Sequence, residues 1–146
     1  MKPRLYLAAP LFSKAEIDFN SRLAGRLSRW LEVYLPQRDG GLLVELIASG
    51  HTILEASEIV FRGDTSAILQ SKYFLILLDG RTIDEGASFE LGFAYAHDKV
   101  CVGLQTDPRR LLTAGNNPMI ARSLGSIFAT VGELETWAER LAQDVG

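Results

Sequence analysis

The clearest strand signal in the sequence is the unbroken apolar run Tyr73-Phe74-Leu75-Ile76-Leu77-Leu78. A strand whose side chains are apolar on both faces is typical of a parallel sheet that helices cover on both sides. Asp79 and Gly80 follow directly, and residues of this kind end strands and begin turns. We therefore predict that residues 73–78 form the central strand of an α/β domain.

Further strands are predicted on both sides of this run, as short apolar segments bounded by Pro, Gly or polar residues. They are residues 5–9, a possible short strand at 33–35, residues 100–104 and residues 127–130. Helical patterns separate them, which is the order expected for parallel strands joined by crossovers. The sequence thus predicts a single domain over residues 1–146. Its architecture is a three-layer α/β/α arrangement with a roughly five-stranded parallel sheet, flavodoxin-like or Rossmann-like.

Helix signals fill the intervals between these strands. Ser13 and Glu16 have the spacing of a capping box and begin a helix whose apolar face runs to residue 31. Two helices are predicted between residues 42 and 71, with a break near residues 49–50. The remaining helices are predicted at residues 84–97 and 133–142, and loops at residues 37–41 and 107–118.

Size, charge and cysteine content exclude several classes of protein. The chain has 146 residues, 47% of them hydrophobic, and a net charge of -3, which allows a buried core but gives no basic field for nucleic acid. Cys101, the single cysteine, lies in an apolar strand and excludes an intrachain disulfide or a multi-cysteine metal site. The N-terminus shows neither a signal peptide nor a membrane span. We therefore expect a cytoplasmic protein that binds neither nucleic acid nor membranes.

Glu90 is the strongest candidate for chemistry. It lies in the segment ASFELGFAYA, residues 87–96, which is apolar on almost all sides of a helix. Such a helix is buried, and a carboxylate inside it is costly unless it is hydrogen-bonded or faces a polar cleft. The nearby helix N-terminus favours the ionised form. A charged carboxylate in a half-buried cleft can serve as a nucleophile, although a structural glutamate with a buried partner is an alternative.

Three further side chains are candidates to act around Glu90. Asp84 precedes the same helix, where an aspartate is also a good N-cap, and Asp64 lies on the helix before the central strand, where it could simply be solvated. Tyr6 lies on the first strand, and its hydroxyl needs a partner if it is buried. Ligands bind beyond the carboxyl ends of parallel strands, where these elements converge. Three acids at one edge suggest acid–base chemistry around a nucleophile.

Metal and cofactor signals are missing from the sequence. His51 and His97 have no matching ligand cluster, so we expect no metal ion. The chain contains neither GxGxxG nor GxxxxGK[ST], and therefore gives no case for a dinucleotide or a nucleoside triphosphate. We expect no cofactor. Gln37 and Asn117 are loop amides, a residue type that usually shapes turns or contacts solvent.

Several short motifs, taken together and in order, resemble the nucleoside 2-deoxyribosyltransferase family. They are YLAAPLF at residues 6–12, LPQRDG at residues 35–40, Asp64, DEGASFELG at residues 84–92 and Asn117-Pro118-Met119. The resemblance runs from residue 5 to about residue 120 and places Glu90 at the nucleophile of the family. It also makes Gln37 similar to the glutamine with which the family contacts the base.

The resemblance implies a double displacement. Glu90 is expected to attack C1′ of a bound 2-deoxynucleoside through an oxocarbenium-like transition state, as in a retaining glycosidase, and a second nucleobase then takes the sugar. Asp64 or Asp84 would protonate or hydrogen-bond the departing base. Tyr6 would orient Glu90 or contact the sugar. Water can compete with the second base, which gives slow hydrolysis.

The resemblance also implies how 2-deoxynucleosides and free nucleobases are bound. Phe12 and Met119 would pack on the base or the sugar, and Asn117 would bind the 5′-hydroxyl. The family inserts its Asn-x-Met segment from a neighbouring subunit, so a homo-oligomer, dimer or hexamer, is expected in which Asn117 and Met119 complete a neighbour's site. In some members the C-terminal carboxylate reaches the site. This chain ends at Gly146 after a helix, which leaves that contact open.

Two other functions are compatible with the same motifs. A 2-deoxynucleoside 5′-monophosphate N-glycosidase of the same fold would hydrolyse its substrate, with Ser13 and Ser88 as possible phosphate contacts. Asp84 stands where that relative has a serine, and its carboxylate would repel a phosphate. The second alternative is a non-catalytic nucleotide-binding module, because the fold alone does not fix function. Such a module would keep its affinity in Glu90→Ala, whereas the enzyme would lose turnover.

Overall fold

The computed structural model describes residues 1–110 and 113–144, which form alternating strands and helices. The strands are β1 (Arg4–Ala8), β2 (Glu32–Tyr34), β3 (Tyr73–Leu77), β4 (Val100–Leu104) and β5 (Ser126–Phe128). The helices are α1 (Lys14–Leu27), α2 (Pro36–Asp39), α3 (Leu43–Ala48), α4 (Ile53–Gln70), α5 (Glu85–Ala96), α6 (Pro118–Ser123) and α7 (Val131–Asp144). The five strands form one sheet in the order β2-β1-β3-β4-β5, and every pair is parallel.

The apolar run at residues 73–78 forms the middle of this sheet, as the sequence predicts. β3 pairs with β1 on one side and β4 on the other, and all five of its residues are buried. Helices cover both faces, which explains why neither face of the strand carries a polar residue. The predicted three-layer α/β/α fold with five parallel strands is confirmed.

The two faces of the sheet bury separate apolar clusters. Leu5 and Leu7 of β1 pack with α1 and α7, whereas Tyr6 and Ala8 face α4 and α5 on the other side. This alternation is the two-residue period of a strand. The second face is the one that matters for the site, because the helices that pack there carry two of the candidate acids.

Two predictions around the second strand need correction. α1 ends at Leu27, and Trp30 and Leu31 lie in the turn that follows it. They are apolar because they pack against the core from that turn. The predicted loop at residues 37–41 is also wrong over most of its length, because Pro36–Asp39 forms the short helix α2. Proline suits the first position of a helix, since its fixed φ is helical and its missing N–H needs no partner there.

The C-terminal third differs in detail from the prediction. β5 occupies Ser126–Phe128 rather than residues 127–130, and the short helix α6 begins at Pro118, the last residue of the predicted loop. Residues 111 and 112 of that loop lie outside the described residues, as does Gly146 with the C-terminal contact considered above. None of the helices that the structure describes has the length and apolar character needed to cross a membrane.

Side chains beyond β3 tie together the loops at the carboxyl edge of the sheet. Asp79 accepts hydrogen bonds from the backbone N–H groups of Thr106 (2.7 Å) and Asp107 (2.9 Å). The guanidinium of Arg110 donates to the main-chain carbonyls on either side of Asp79, those of Leu78 and Gly80. These bonds hold the loops after β3 and β4 against each other, which is the edge where ligands bind in parallel sheets.

Candidate active site

Three aromatic rings stack across neighbouring strands on the α4/α5 face of the sheet. Tyr6 lies between Tyr34 of β2 and Phe74 of β3, which are its register partners. The ring centroids are 5.4 Å apart for Tyr6 and Tyr34 and 5.6 Å apart for Tyr6 and Phe74, with interplanar angles of 16° and 4°. Paired strands place these side chains directly side by side, and the stack holds Tyr6 in one orientation.

Glu90 brings a carboxyl group from α5 to this stack. The side chain is half-buried, and its Oε2 has no hydrogen-bond partner within residues 1–110 and 113–144. Burial raises the pKa of Glu90 to about 7, the nearby Tyr6 hydroxyl lowers it, and the charges of Asp64 and Asp84 raise it. No ion pair in the described part of the chain involves Glu90. Glu90 is therefore a carboxyl group that can change protonation close to neutral pH.

Tyr6 is fully buried beside Glu90 and remains protonated. Burial raises the pKa of Tyr6 far above its ordinary value, and the charges of Glu90 and Asp64 raise it further. Within the described residues its hydroxyl has no partner that meets full hydrogen-bond geometry, although it lies near enough to Glu90 to lower the pKa of that carboxyl. The hydroxyl is thus a donor aimed at the site.

Asp64 joins the cluster from α4. Its Oδ1 accepts a hydrogen bond of 3.3 Å from the hydroxyl of Tyr34. Burial raises the pKa of Asp64 to about 6, and the bond from Tyr34 opposes that rise. The solvated position considered from the sequence is therefore wrong, because the side chain is half-buried against β2 and its charge acts on Glu90.

Asp84 is the N-cap of α5. Its Oδ2 accepts a hydrogen bond of 2.9 Å from the backbone N–H of Ala87, and its main-chain carbonyl accepts one of 2.8 Å from Ser88 Oγ. The capping role that competes with a catalytic one is thus present. Asp84 also contributes to the site, since its charge raises the pKa of Glu90.

Together these groups can carry out proton transfer next to a nucleophilic carboxylate. The structure brings Glu90, Asp64, Asp84 and Tyr6 together, as the sequence suggests. Two carboxyl groups with pKa values near 6 and 7 interact, so they titrate as a pair that holds one proton over part of the neutral range. One member can then act as a nucleophile while the other acts as an acid.

Of the two residues predicted to bind the base or the sugar from the N-terminal third, Phe12 is exposed and Gln37 is hydrogen-bonded to α1. Phe12 lies in the loop between β1 and α1 with 79% of its surface exposed, which leaves it free to pack on a ligand. The amide of Gln37 is bound to α1: Nε2 donates to the Ile17 carbonyl (2.9 Å) and to Ser21 Oγ (3.0 Å), and Oε1 accepts from Asn20 Nδ2 (3.0 Å). A contact between Gln37 and the base stays a prediction. To donate to a base, the side-chain amide of Gln37 would first have to break its hydrogen bonds to α1.

Asn117 and Met119 lie at the start of α6, away from Glu90. Asn117 caps that helix through a 2.9 Å bond from the Met119 N–H, and Met119 is 81% exposed. Both line an open groove of about 550 Å³ that also includes Ser88. Ser88 and Glu90 are two residues apart and so lie on opposite sides of α5. The lining of the groove includes neither Glu90 nor Asp64, although it reaches the residues directly before Asp84.

Within the described residues, no group of three or more His, Cys, Asp or Glu side chains is arranged to hold a metal ion.

Tyr34 and Gly40 are site residues that the sequence analysis does not identify. Tyr34 contacts both Tyr6 and Asp64. Gly40 follows α2 so closely above this pair that a Cβ would lie 2.9 Å from Asp64 Oδ1 and 3.0 Å from the Tyr34 hydroxyl. The sequence offers only weak signals for them: an aromatic residue within the possible strand at 33–35 and a glycine in the loop predicted at 37–41.

A family model described as nucleoside 2-deoxyribosyltransferase matches residues 5–136 of the chain. Among curated proteins no sequence matches.

Solved structures with the same fold include proteins of three kinds. A conserved protein from Enterococcus faecalis V583 is 24% identical over 96% of this chain and 99% of its own, with a TM-score of 0.78. A 2-deoxyribosyltransferase from Bacillus psychrosaccharolyticus is 24% identical over 90% of both chains, with a TM-score of 0.71. A CMP N-glycosidase from Clostridium botulinum is 16% identical over 93% of this chain and 98% of its own, with a TM-score of 0.55. At these identities the likeness shows the fold.

Proposed function

The chain belongs to the nucleoside 2-deoxyribosyltransferase family, and we propose that it transfers a 2-deoxyribosyl group between nucleobases through a covalent intermediate on Glu90. The observation that carries this proposal is the position of Glu90, half-buried beside the Tyr6 hydroxyl and two aspartates. A structural glutamate would be expected to pair with a basic or hydrogen-bonding group. Glu90 instead makes no ion pair within the described residues, and the hydrogen-bonding group beside it is the Tyr6 hydroxyl, which belongs to the same site.

In the first half of the reaction, the Glu90 carboxylate attacks C1′ of a 2-deoxynucleoside. The C1′–N bond breaks, its electron pair goes to the base, and the base nitrogen takes a proton from an acid. In the second half, the ring nitrogen of another base attacks C1′, the ester bond to Glu90 breaks, and the proton of the incoming base returns to the same acid. Two inversions retain the configuration at C1′.

We assign the proton transfer to Asp64 and an electrostatic role to Asp84. Burial raises the pKa of Asp64 to about 6, so this group holds a proton closer to neutrality than an ordinary aspartate. The pKa of Glu90 is higher, about 7, so the reactive form, with Asp64 protonated and Glu90 ionised, is the minor of the two one-proton forms. One oxygen of Asp84 is engaged in capping α5, and its charge acts on Glu90, so in the proposed reaction it would stabilise the positive charge that develops at the sugar carbon bound there. Tyr6 orients Glu90 through its hydroxyl.

The remaining predicted residues would bind the substrate. Phe12 packs on the base or the sugar, and Gln37 contacts the base once its amide leaves α1. Asn117 and Met119 complete the site of a neighbouring subunit, where Asn117 binds the 5′-hydroxyl. Their exposure, and the absence of Glu90 and Asp64 from the groove that they line, support this arrangement. The protein would then act as a homo-oligomer on 2-deoxynucleosides and free nucleobases.

Hydrolysis of a nucleotide is the second candidate, because one structural neighbour is a CMP N-glycosidase. A 5′-phosphate would have to lie near Asp84, whose carboxylate repels it. Arg110, which lines the nearby groove, is bound to main-chain carbonyls rather than free for an anion.

A product assay distinguishes these functions. We expect the purified protein, given 2′-deoxyinosine and adenine, to form 2′-deoxyadenosine and hypoxanthine, and to release hypoxanthine only slowly when adenine is left out. Products are separated by chromatography. Equal hypoxanthine release with and without adenine would identify a hydrolase, and the assay would be repeated on 2′-deoxynucleoside 5′-monophosphates. Absence of any product would favour the non-catalytic binding module.

Subunit sharing is tested by combining two defective variants. Asn117→Ser keeps a side-chain oxygen to cap α6 but removes the amide, and we expect a loss of kcat/KM of about tenfold. Glu90→Gln is expected to be inactive. When the two are co-expressed, about a quarter of all sites would combine Glu90 of one subunit with Asn117 of another, and activity would return to about a quarter of the wild-type value.

The control for this experiment is each variant expressed alone and mixed after purification under conditions without subunit exchange. If Asn117 served its own chain, co-expression would give no more than half the activity of Asn117→Ser. That result would rule out the shared site.

A further inference from the structure

We propose that Tyr34 is a positioning residue that fixes the orientation of Asp64 and couples it to the Tyr6–Glu90 side of the site. The inference rests on the proposed function for its kinetic consequences. It stands on the contacts of one side chain with three different elements: β1, α4 and the segment that follows α2.

The ring of Tyr34 is held by its neighbours. It stacks on Tyr6 at 5.4 Å, and Tyr6 stacks on Phe74 in turn, so the three rings form a continuous layer over β2, β1 and β3. The guanidinium of Arg4 lies 5.8 Å from the centre of the Tyr34 ring. A ring confined in this way directs its hydroxyl to one place, and the group at that place is Oδ1 of Asp64.

The backbone of Gly40 closes this pair from a further side. A Cβ at this position would come within 2.9 Å of Asp64 Oδ1 and within 3.0 Å of the Tyr34 hydroxyl, a distance that real Cβ atoms do not tolerate without a shift. With glycine at this position, the chain after α2 approaches the pair this closely without displacing either side chain. Oδ1 of Asp64 is thus committed to Tyr34, which leaves Oδ2 as the oxygen for proton transfer to substrate.

The charged and titratable groups around Asp64 come from three elements. Tyr34 faces it from β2, Tyr6 from β1 and Glu90 from α5. Tyr34 in turn is acted on by Arg4 and Asp39. Burial raises the pKa of Tyr34 to about 12, so its hydroxyl keeps its proton and donates throughout the working range. A donor of this kind favours the ionised form of Asp64 and opposes the effect of burial on its pKa.

Burial and the Tyr34 hydroxyl act on the pKa of Asp64 in opposite directions, so removing the hydroxyl should raise that pKa. Tyr34→Phe keeps the ring and its stacking and removes only the donor, so the ionised form of Asp64 loses a stabilising bond. The pKa of Asp64 should rise, and the group should keep its proton to a higher pH. For wild type we expect a bell-shaped pH dependence of kcat/KM, because the reaction needs one ionised and one protonated carboxyl group. The acid limb follows the lower of the two pKa values, that of Asp64, so in Tyr34→Phe this limb should move to higher pH.

The test measures Asp64 directly and activity in parallel. Carboxyl-carbon NMR titrations of wild type, Tyr34→Phe and Tyr73→Phe follow the pKa of Asp64, and its signal is assigned by its absence from Asp64→Asn. Tyr73→Phe is the matched control, because it removes the hydroxyl of another tyrosine of the sheet, on the opposite face, where the ring contacts Trp137. We expect the pKa of Asp64 to rise in Tyr34→Phe only. At the wild-type pH optimum, kcat should fall roughly threefold to tenfold, with KM little changed.

The two readouts separate the inference from the proposed function. A titration of Asp64 that is identical in wild type and Tyr34→Phe overturns the positioning role, whether or not the enzyme is active. A loss of kcat with unmoved pH limbs also overturns it, since that would reflect packing alone. A shifted titration in a protein that transfers no sugar supports the positioning role and refutes the proposed function instead.

Discussion

Glu90→Gln is expected to lower kcat for deoxyribosyl transfer by at least about 10³-fold, with the protein still folded. The amide has the shape of the carboxylate but cannot form the bond to C1′, so only uncatalysed or poorly assisted cleavage remains. The variant also removes a buried ionisable group, which is why folding should survive the change. Activity is measured as 2′-deoxyadenosine formed from 2′-deoxyinosine and adenine, and folding by thermal unfolding.

The matched control is Glu85→Gln. Glu85 lies in the first turn of the same helix but is exposed, so the same chemical change should leave kcat within about twofold of wild type. Mass spectrometry of wild type after rapid quenching should find the sugar attached to Glu90. Substantial transfer by Glu90→Gln would refute the covalent mechanism.

Asp64→Asn is expected to cause the second large loss, and the size of the loss should depend on the leaving base. With 2′-deoxyinosine, which requires protonation, kcat should fall by about 10²–10⁴-fold. With 7-methyl-2′-deoxyguanosine the base leaves as a neutral molecule without a proton, so the loss should be less than about tenfold. Asparagine keeps an oxygen that can accept the hydrogen bond from Tyr34, so the substitution removes only the ability to transfer a proton.

Two comparisons make this result interpretable. Glu90→Gln should lose activity on both substrates, because both need the carboxylate at C1′ whether or not the departing base needs a proton. Asp98→Asn is the control for the substitution itself, since Asp98 is exposed after α5 with a φ of 57°, a conformation that asparagine adopts readily. An equal loss on both substrates in Asp64→Asn would assign the proton to another group, with Asp84 the first to be tested.

The fold follows from the sequence because its strongest signals are local. The six apolar residues of β3 predict a strand covered on both faces, and the structure places that strand at the centre of the sheet. Short helices are harder to predict from sequence. A pattern such as Asn117-Pro118 fits a turn, and it also fits an N-cap followed by the first residue of a helix. The turn residues at 37–41 likewise predict a loop, whereas Pro36 begins the short helix α2.

The acid cluster was accessible from sequence only in part. Glu90 is conspicuous as a polar residue in an apolar helix, and its motif resembles a known family. The bond between Tyr34 and Asp64 joins residues 30 positions apart, and it depends on the register of β2 against β1 and on the rotation of α4. Such a contact is a product of tertiary packing. The same holds for Gln37, whose amide is turned towards α1 by the buried side chain of Asn20.

The buried acids also make the conformational stability of this protein depend on proton binding. In the folded state the pKa values of Asp64 and Glu90 are raised from 3.8 and 4.5 to about 6 and about 7. Their contribution to the free energy of unfolding is therefore fully present below the unfolded-state values and is lost as pH rises through the folded-state values. The contribution of these two groups to stability is therefore largest at a low pH, where Glu90 is protonated and cannot attack. At the pH where Glu90 is ionised and the enzyme works, part of this contribution is lost.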